Sequence, residues 1–115
     1  MTVFEVGDIV TVEFPYSDLE GRKRRPGLVL AIDQSDALLA RITTRPPREP
    51  GGVLLENWSD VGLPKPSTVR LTKLATVDKR LILRRVGRLD SADRAAVLRA
   101  LGSWLRALGA GFALL

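Results

Sequence analysis

The chain has 115 residues, with 18 Lys and Arg against 13 Asp and Glu and a formal net charge of +5. That length holds one hydrophobic core and excludes two, so residues 1–115 read as a single domain. With no Cys and no His, disulfides, thiolate chemistry, imidazole acid–base catalysis and most zinc sites are excluded, and the basic balance favours a polyanionic partner, nucleic acid above all.

Val6-Gly7-Asp8 reads as a turn. Ile9 to Phe14 alternates as a half-buried strand that Pro15 ends. Tyr16 to Arg25 is a loop whose last part, Gly21-Arg22-Lys23-Arg24-Arg25, is strongly basic. Pro26 then leads into the apolar run Leu28-Val29-Leu30-Ala31-Ile32. A residue without an N–H suits the first position of a strand, and Pro26 is expected there. Asp33 to Asp36 is a polar turn, and Leu38 to Thr43 a third strand, so the second and third strands make a hairpin.

Thr44 to Gly52 holds three prolines and two glycines and reads as a loop. Val53-Leu54-Leu55 is a short strand, Glu56 to Asp60 one helical turn, and Gly62 to Ser67 another loop. Thr68 to Leu71 and Leu74 to Val77 read as separate strand segments, and Val86 to Leu89 as a closing strand. Asp90 is the N-cap of a final helix over about 91–108, with Asp93 in its first turn. Val97, Leu98, Leu101, Trp104, Leu105 and Leu108 recur at helical spacing and read as core. Gly109-Ala110-Gly111 is expected to end that helix. The pattern predicts a mainly β domain with a C-terminal helix, its sheet strongly bent or partly closed as a barrel. The N-terminus has no basic region followed by an apolar stretch, and no run reaches transmembrane length, so the expectation is a soluble cytoplasmic protein with no membrane partner.

Arg25 joins the basic loop to a rigid strand. A guanidinium fixed at such a junction suits a phosphate, whose oxygens its planar donors match in pairs. A solvated basic turn is the alternative reading of the same residues.

Several stretches, in order, resemble the MazF/PemK family of toxin–antitoxin ribonucleases. They are Gly7-Asp8-Ile9-Val10 with Phe14-Pro15; Arg25-Pro26 before Leu28-Val29-Leu30; Ile42-Thr43-Thr44; Gly62-Leu63 with Pro66-Ser67-Thr68-Val69-Arg70; Thr76-Val77-Asp78-Lys79; and Val86-Gly87-Arg88-Leu89. The resemblance implies a small SH3-like β-barrel, a homodimer, and a cognate antitoxin that blocks it. It also implies cofactor-free and metal-free cleavage of single-stranded RNA by 2′-OH attack, leaving a 2′,3′-cyclic phosphate and a 5′-OH. Arg25 falls on the family's catalytic arginine and Thr43 on its catalytic Ser/Thr. Glu20 falls on an acidic loop position, and Arg70 on an active-site arginine of one branch. That branch carries an aspartate two residues later, where this chain has Thr72.

The residues themselves fit that chemistry in part. Arg25 can stabilise charge on a phosphorane, but a guanidinium does not give up its proton readily enough to act as a base. Thr43 offers a hydroxyl donor; apart from the resemblance it reads first as a strand-end cap on the loop backbone. Glu20 is the nearest carboxylate for proton abstraction, or a solvated acid paired with Lys23 or Arg24. Arg22, Lys23, Arg24, Arg45, Arg48 and Arg70 are expected to hold the RNA backbone. Tyr16 and Trp58 are candidates for base stacking, Trp58 reading also as a core or interface residue. An acidic, partly disordered antitoxin segment is expected to compete with RNA for this surface. A gyrase inhibitor of the CcdB type, or an inactive member that only binds RNA or antitoxin, are alternatives on the same fold.

Overall fold

In the computed structural model, residues 3–14, 23–48 and 50–115 are described. Six strands come first: β1 (Asp8–Phe14), β2 (Lys23–Ile32), β3 (Asp36–Thr43), β4 (Gly52–Leu54), β5 (Thr68–Asp78) and β6 (Ile82–Arg88). The helix α1 (Ser91–Ala113) closes the chain. The strands form one antiparallel sheet in the order β4-β5-β3-β2-β1-β6. Among the described residues its ladders leave β4 and β6 as edges, so the sheet is not closed into the SH3-like β-barrel that the resemblance implies.

Both sides of the sheet carry core. Successive strand residues point to opposite faces, and here both faces are apolar near the centre. Ile9, Leu28, Ala40, Ile42, Val69 and Leu71 belong to one buried cluster, which α1 and the segment after β4 help to cover. Val10, Val12, Val29, Leu39, Val77 and Ile82 belong to the other. Ile9 and Val10 are both fully buried, so the start of β1 is not the half-exposed strand its alternation suggests.

The second strand begins earlier than its apolar run. Lys23 to Arg25 pair with β1, and Pro26 is the fourth residue of β2 opposite Thr11. The β2·β3 ladder starts one residue later, at Gly27 opposite Arg41. Pro26 therefore costs no rung to β3. The turn to β3 is fixed by Asp33, whose Oδ1 accepts the N–H groups of Ser35 at 3.0 Å and Asp36 at 2.8 Å.

The two segments expected around Thr72 and Lys73 are one long strand, β5. On β3, Ala40 faces Leu74 while its neighbour Arg41 faces Arg70. Leu71, Thr72 and Lys73 are thus accommodated as a bulge, which bends the strand and re-aims its side chains.

The helix runs past the glycines that were expected to end it. Neither Gly109 nor Gly111 takes a positive φ, so each lowers helix propensity without reversing the chain. The start is as expected: the Asp90 side chain accepts the N–H of Asp93 at 2.8 Å. Asp93 itself is buried, and its carboxylate accepts the N–H groups of Glu56 at 2.9 Å and Asn57 at 3.0 Å. The Asn57 side-chain amide also donates to Asp90. These bonds dock the turn after β4 on the helix N-terminus. Only part of the apolar stripe is core: Val97 is buried and Leu101 and Trp104 pack on the cluster, while Leu98, Leu105 and Leu108 are exposed. Among the described residues no helix is long and apolar enough to cross a membrane.

Candidate active site

A cleft of about 570 Å³ opens beside the outer ends of β2 and β3. Arg24, Arg25 and Pro26 of β2 line it, as do Arg41, Ile42 and Thr43 of β3. Consecutive residues point to opposite faces of a strand, so the cleft wraps around the end of the sheet. Arg70 and Lys73 of β5 and Arg84 of β6 reach it as well, with Arg45 from the loop after β3. Gly62, Leu63, Pro64 and Val86 also line it. Among the described residues its charged lining is cationic throughout.

Strand register sets the arrangement. Arg41 stands opposite Gly27 on β2 and opposite Arg70 on β5. Arg25 and Thr43 lie two residues further out on their strands, on the face that Arg41 shares. Thr43 stands opposite Thr68. The Thr43 hydroxyl accepts the backbone N–H of Arg45 at 3.2 Å. A hydroxyl accepts through its lone pairs and keeps its own O–H to donate. The cap and the donor are therefore compatible. Burial, and then the charges of Arg25 and Arg70, push the Arg41 guanidinium below the ordinary arginine pKa. Proximity of these three cations is thus felt in the electrostatics as well as in the register.

A smaller neighbouring hollow of about 290 Å³ is lined by Pro46, Pro47, Arg48, Gly52 and Thr68, and shares Thr43, Arg45 and Arg70 with the main cleft. The Thr68 hydroxyl, which lines it, is buried and has no hydrogen-bond partner among the described residues.

Of the residues singled out in the sequence, the fold brings Arg24, Arg25, Thr43, Arg45 and Arg70 to one cleft, with Arg48 next door. Glu20, Arg22 and Tyr16 lie outside the described residues, as does the Lys23 side chain. Trp58 is half-buried against the core and does not line the cleft. Arg41, Lys73 and Arg84 were missed. The i, i+2 spacing of Arg41 and Thr43 is a signal that could have found the first. Lys73 depends on the bulge, and Arg84 on β6 pairing with β1. Among the described residues no group of three or more His, Cys, Asp or Glu could hold a metal ion.

The model of the PemK-like, MazF-like toxins of type II toxin–antitoxin systems matches residues 5–105. The chain belongs to that family. No curated protein matches its sequence at a significant level. Among solved structures, MazF of Deinococcus radiodurans is similar at 24% identity and a TM-score of 0.71, covering 91% of this chain and 98% of that one. The Mycobacterium tuberculosis toxin MazF-mt6 is similar at 23% identity and a TM-score of 0.69, over 84% and 93% of the two chains. A mycobacterial endoribonuclease in complex with its cognate antitoxin is similar at 18% identity and a TM-score of 0.68, over 86% and 91%. At these identities the structures speak for the MazF fold. For a MazF-like chain, the cation-lined cleft is then the place to look for activity.

Proposed function

We propose that this MazF/PemK-family chain is an endoribonuclease toxin that cuts single-stranded RNA at the cleft between Arg25 and Thr43. One observation carries the reading: an arginine and an alcohol from adjacent strands line one opening among cations. In this reading the 2′-OH of the RNA gives up its proton and attacks the adjacent phosphorus, the bond from phosphorus to the 5′-oxygen breaks, and that oxygen takes up a proton from water, so that a 2′,3′-cyclic phosphate and a 5′-OH result. Arg25 donates to the non-bridging oxygens and stabilises the charge that grows on them. The Thr43 O–H donates beside it. Glu20, outside the described residues, is the proposed base for the 2′-OH proton. Arg24, Arg45 and Arg48 position the RNA backbone, and loop shape supplies sequence selectivity.

The partners follow from the same surface. An acidic antitoxin segment would lie across the cleft and compete with RNA, and the toxin would work as a cytoplasmic homodimer that blocks translation and growth. The neighbour solved with its cognate antitoxin supports an antitoxin partner. The test is incubation of the purified protein with single-stranded RNA in EDTA, beside the Arg25→Ala variant. Cleavage that the variant loses supports the assignment. Cleavage undiminished by the variant refutes the role of Arg25, and intact RNA with gyrase-dependent DNA breaks refutes the nuclease.

A further inference from the structure

We propose that Arg41, acting with Arg70, holds the RNA phosphate one nucleotide away from the bond that is cut. The proposal rests on the nuclease reading and adds a second phosphate site to it. Arg41 and Arg70 are directly opposite each other on β3 and β5. Thr43 and Thr68 form a parallel rung two residues outward, and Arg25 belongs to that outer rung by alternation on β2. Two residues of strand span about 7 Å, which is comparable to one phosphate-to-phosphate step of an extended single strand. The inner rung therefore sits one step from the reacting phosphate when the outer rung holds it.

Electrostatics favour the same occupant. Like charges directly opposite each other on neighbouring strands destabilise a sheet. Arg41 is half-buried, its pKa lowered by burial and by Arg25 and Arg70. A phosphate near this pair is attracted by both cations and suits the planar donor geometry of a guanidinium.

The probe is an RNA oligonucleotide carrying the mapped cut site, made uncleavable by 2′-deoxy substitution at the attacking nucleotide. Binding is measured against salt for the unaltered protein, Arg41→Ala and Arg41→Lys. Loss of one phosphate contact lowers the slope of log K against log salt by about 0.7 for single strands. We expect that decrease in Arg41→Ala, with about tenfold weaker binding, and an unchanged slope in Arg41→Lys. A neutral methylphosphonate at the phosphate on one side of the cut should weaken the unaltered protein and leave Arg41→Ala unaffected. A purely structural role for Arg41 would weaken binding without moving the slope. An unmoved slope, or methylphosphonate effects that are the same with and without Arg41, overturns the proposal. Arg41→Gln replaces the alanine variant in the same readouts if circular dichroism shows the latter unfolded. Arg25-dependent cleavage with an unmoved slope removes the Arg41 assignment alone. RNA that is neither bound nor cut by the unaltered protein removes the nuclease reading and this one with it.

Discussion

The Thr43 hydroxyl accepts the backbone N–H of Arg45 at 3.2 Å, so the proposed catalytic alcohol also anchors the start of the loop after β3. Two functions on one oxygen predict a specific pattern of variants. Thr43→Ser keeps the hydroxyl and should retain most activity. Thr43→Ala removes the donor and the cap together, and should lower kcat about 10²-fold and raise KM as the Arg45 segment loosens. Steady-state cleavage of a short RNA separates the two effects; a serine variant as poor as alanine would count against the hydroxyl.

Arg25 is assigned a role that grows only in the transition state. Its replacement by Ala should lower kcat about 10²–10³-fold, equivalent to about 3–4 kcal/mol of barrier, with a smaller change in KM. The melting temperature should hold within a few degrees, because the side chain lines a cleft and not the core. A comparable loss of stability would recast Arg25 as structural.

Asp93 shows what the docking of α1 is worth. Its buried carboxylate accepts two backbone N–H groups from the turn after β4. Asp93→Ala strands both donors and should destabilise the fold by about 3 kcal/mol. Chemical denaturation measures this directly, and a change under about 0.5 kcal/mol would mean that the turn finds other acceptors.

Two glycines should respond with opposite signs. A Cβ on Gly87 would meet the Val61 carbonyl oxygen at 2.0 Å and its carbon at 2.9 Å. Neither backbone can yield easily, so Gly87→Ala should cost about 3 kcal/mol or more and shift the Gly62–Pro64 wall of the cleft. A Cβ on Gly109 meets nothing within 4 Å. Gly109→Ala should stabilise the helix by about 1 kcal/mol. Paired thermal melts test both.

Acid should weaken the short 3-10 turn Lys79–Leu81, which Asp78 caps just before β6. The Asp78 carboxyl accepts the Arg80 side chain and backbone N–H, which lowers its pKa from 3.8 to about 2. Asp33 is lowered too, by the N–H groups of Asp36 and Ser35. A depressed folded pKa contributes stability that is present above the unfolded value and lost as pH falls through the folded one. The contribution of Asp78 should therefore fade between about pH 4 and pH 2. Denaturation curves across that window should flatten in Asp78→Asn.

The hairpin of β2 and β3 and the Asp90 cap were legible because each rests on neighbours in the chain, whereas Arg25 and Thr43 were singled out together by the family resemblance, and the fold brings both to one cleft. Pro26, the Asp33 turn and strand alternation are local facts, and local sterics enforce them. The end of α1 was misread for a related reason: glycine permits a reversal but does not force one, and the glycines at 109 and 111 stay right-handed. Continuity of β5 was hidden because its bulge exists only against β3.

Composition alone determined that there is no thiol and no imidazole, and that the chain carries a net charge of +5. Spacing determined most strands and the phosphate-binding candidate at the mouth of β2. Only the tertiary structure decided that Arg41, Arg70, Lys73 and Arg84 share one cleft with Arg25 and Thr43. Their strands are distant in sequence, and register between strands is set by long-range pairing and burial of the apolar faces, which no local window contains.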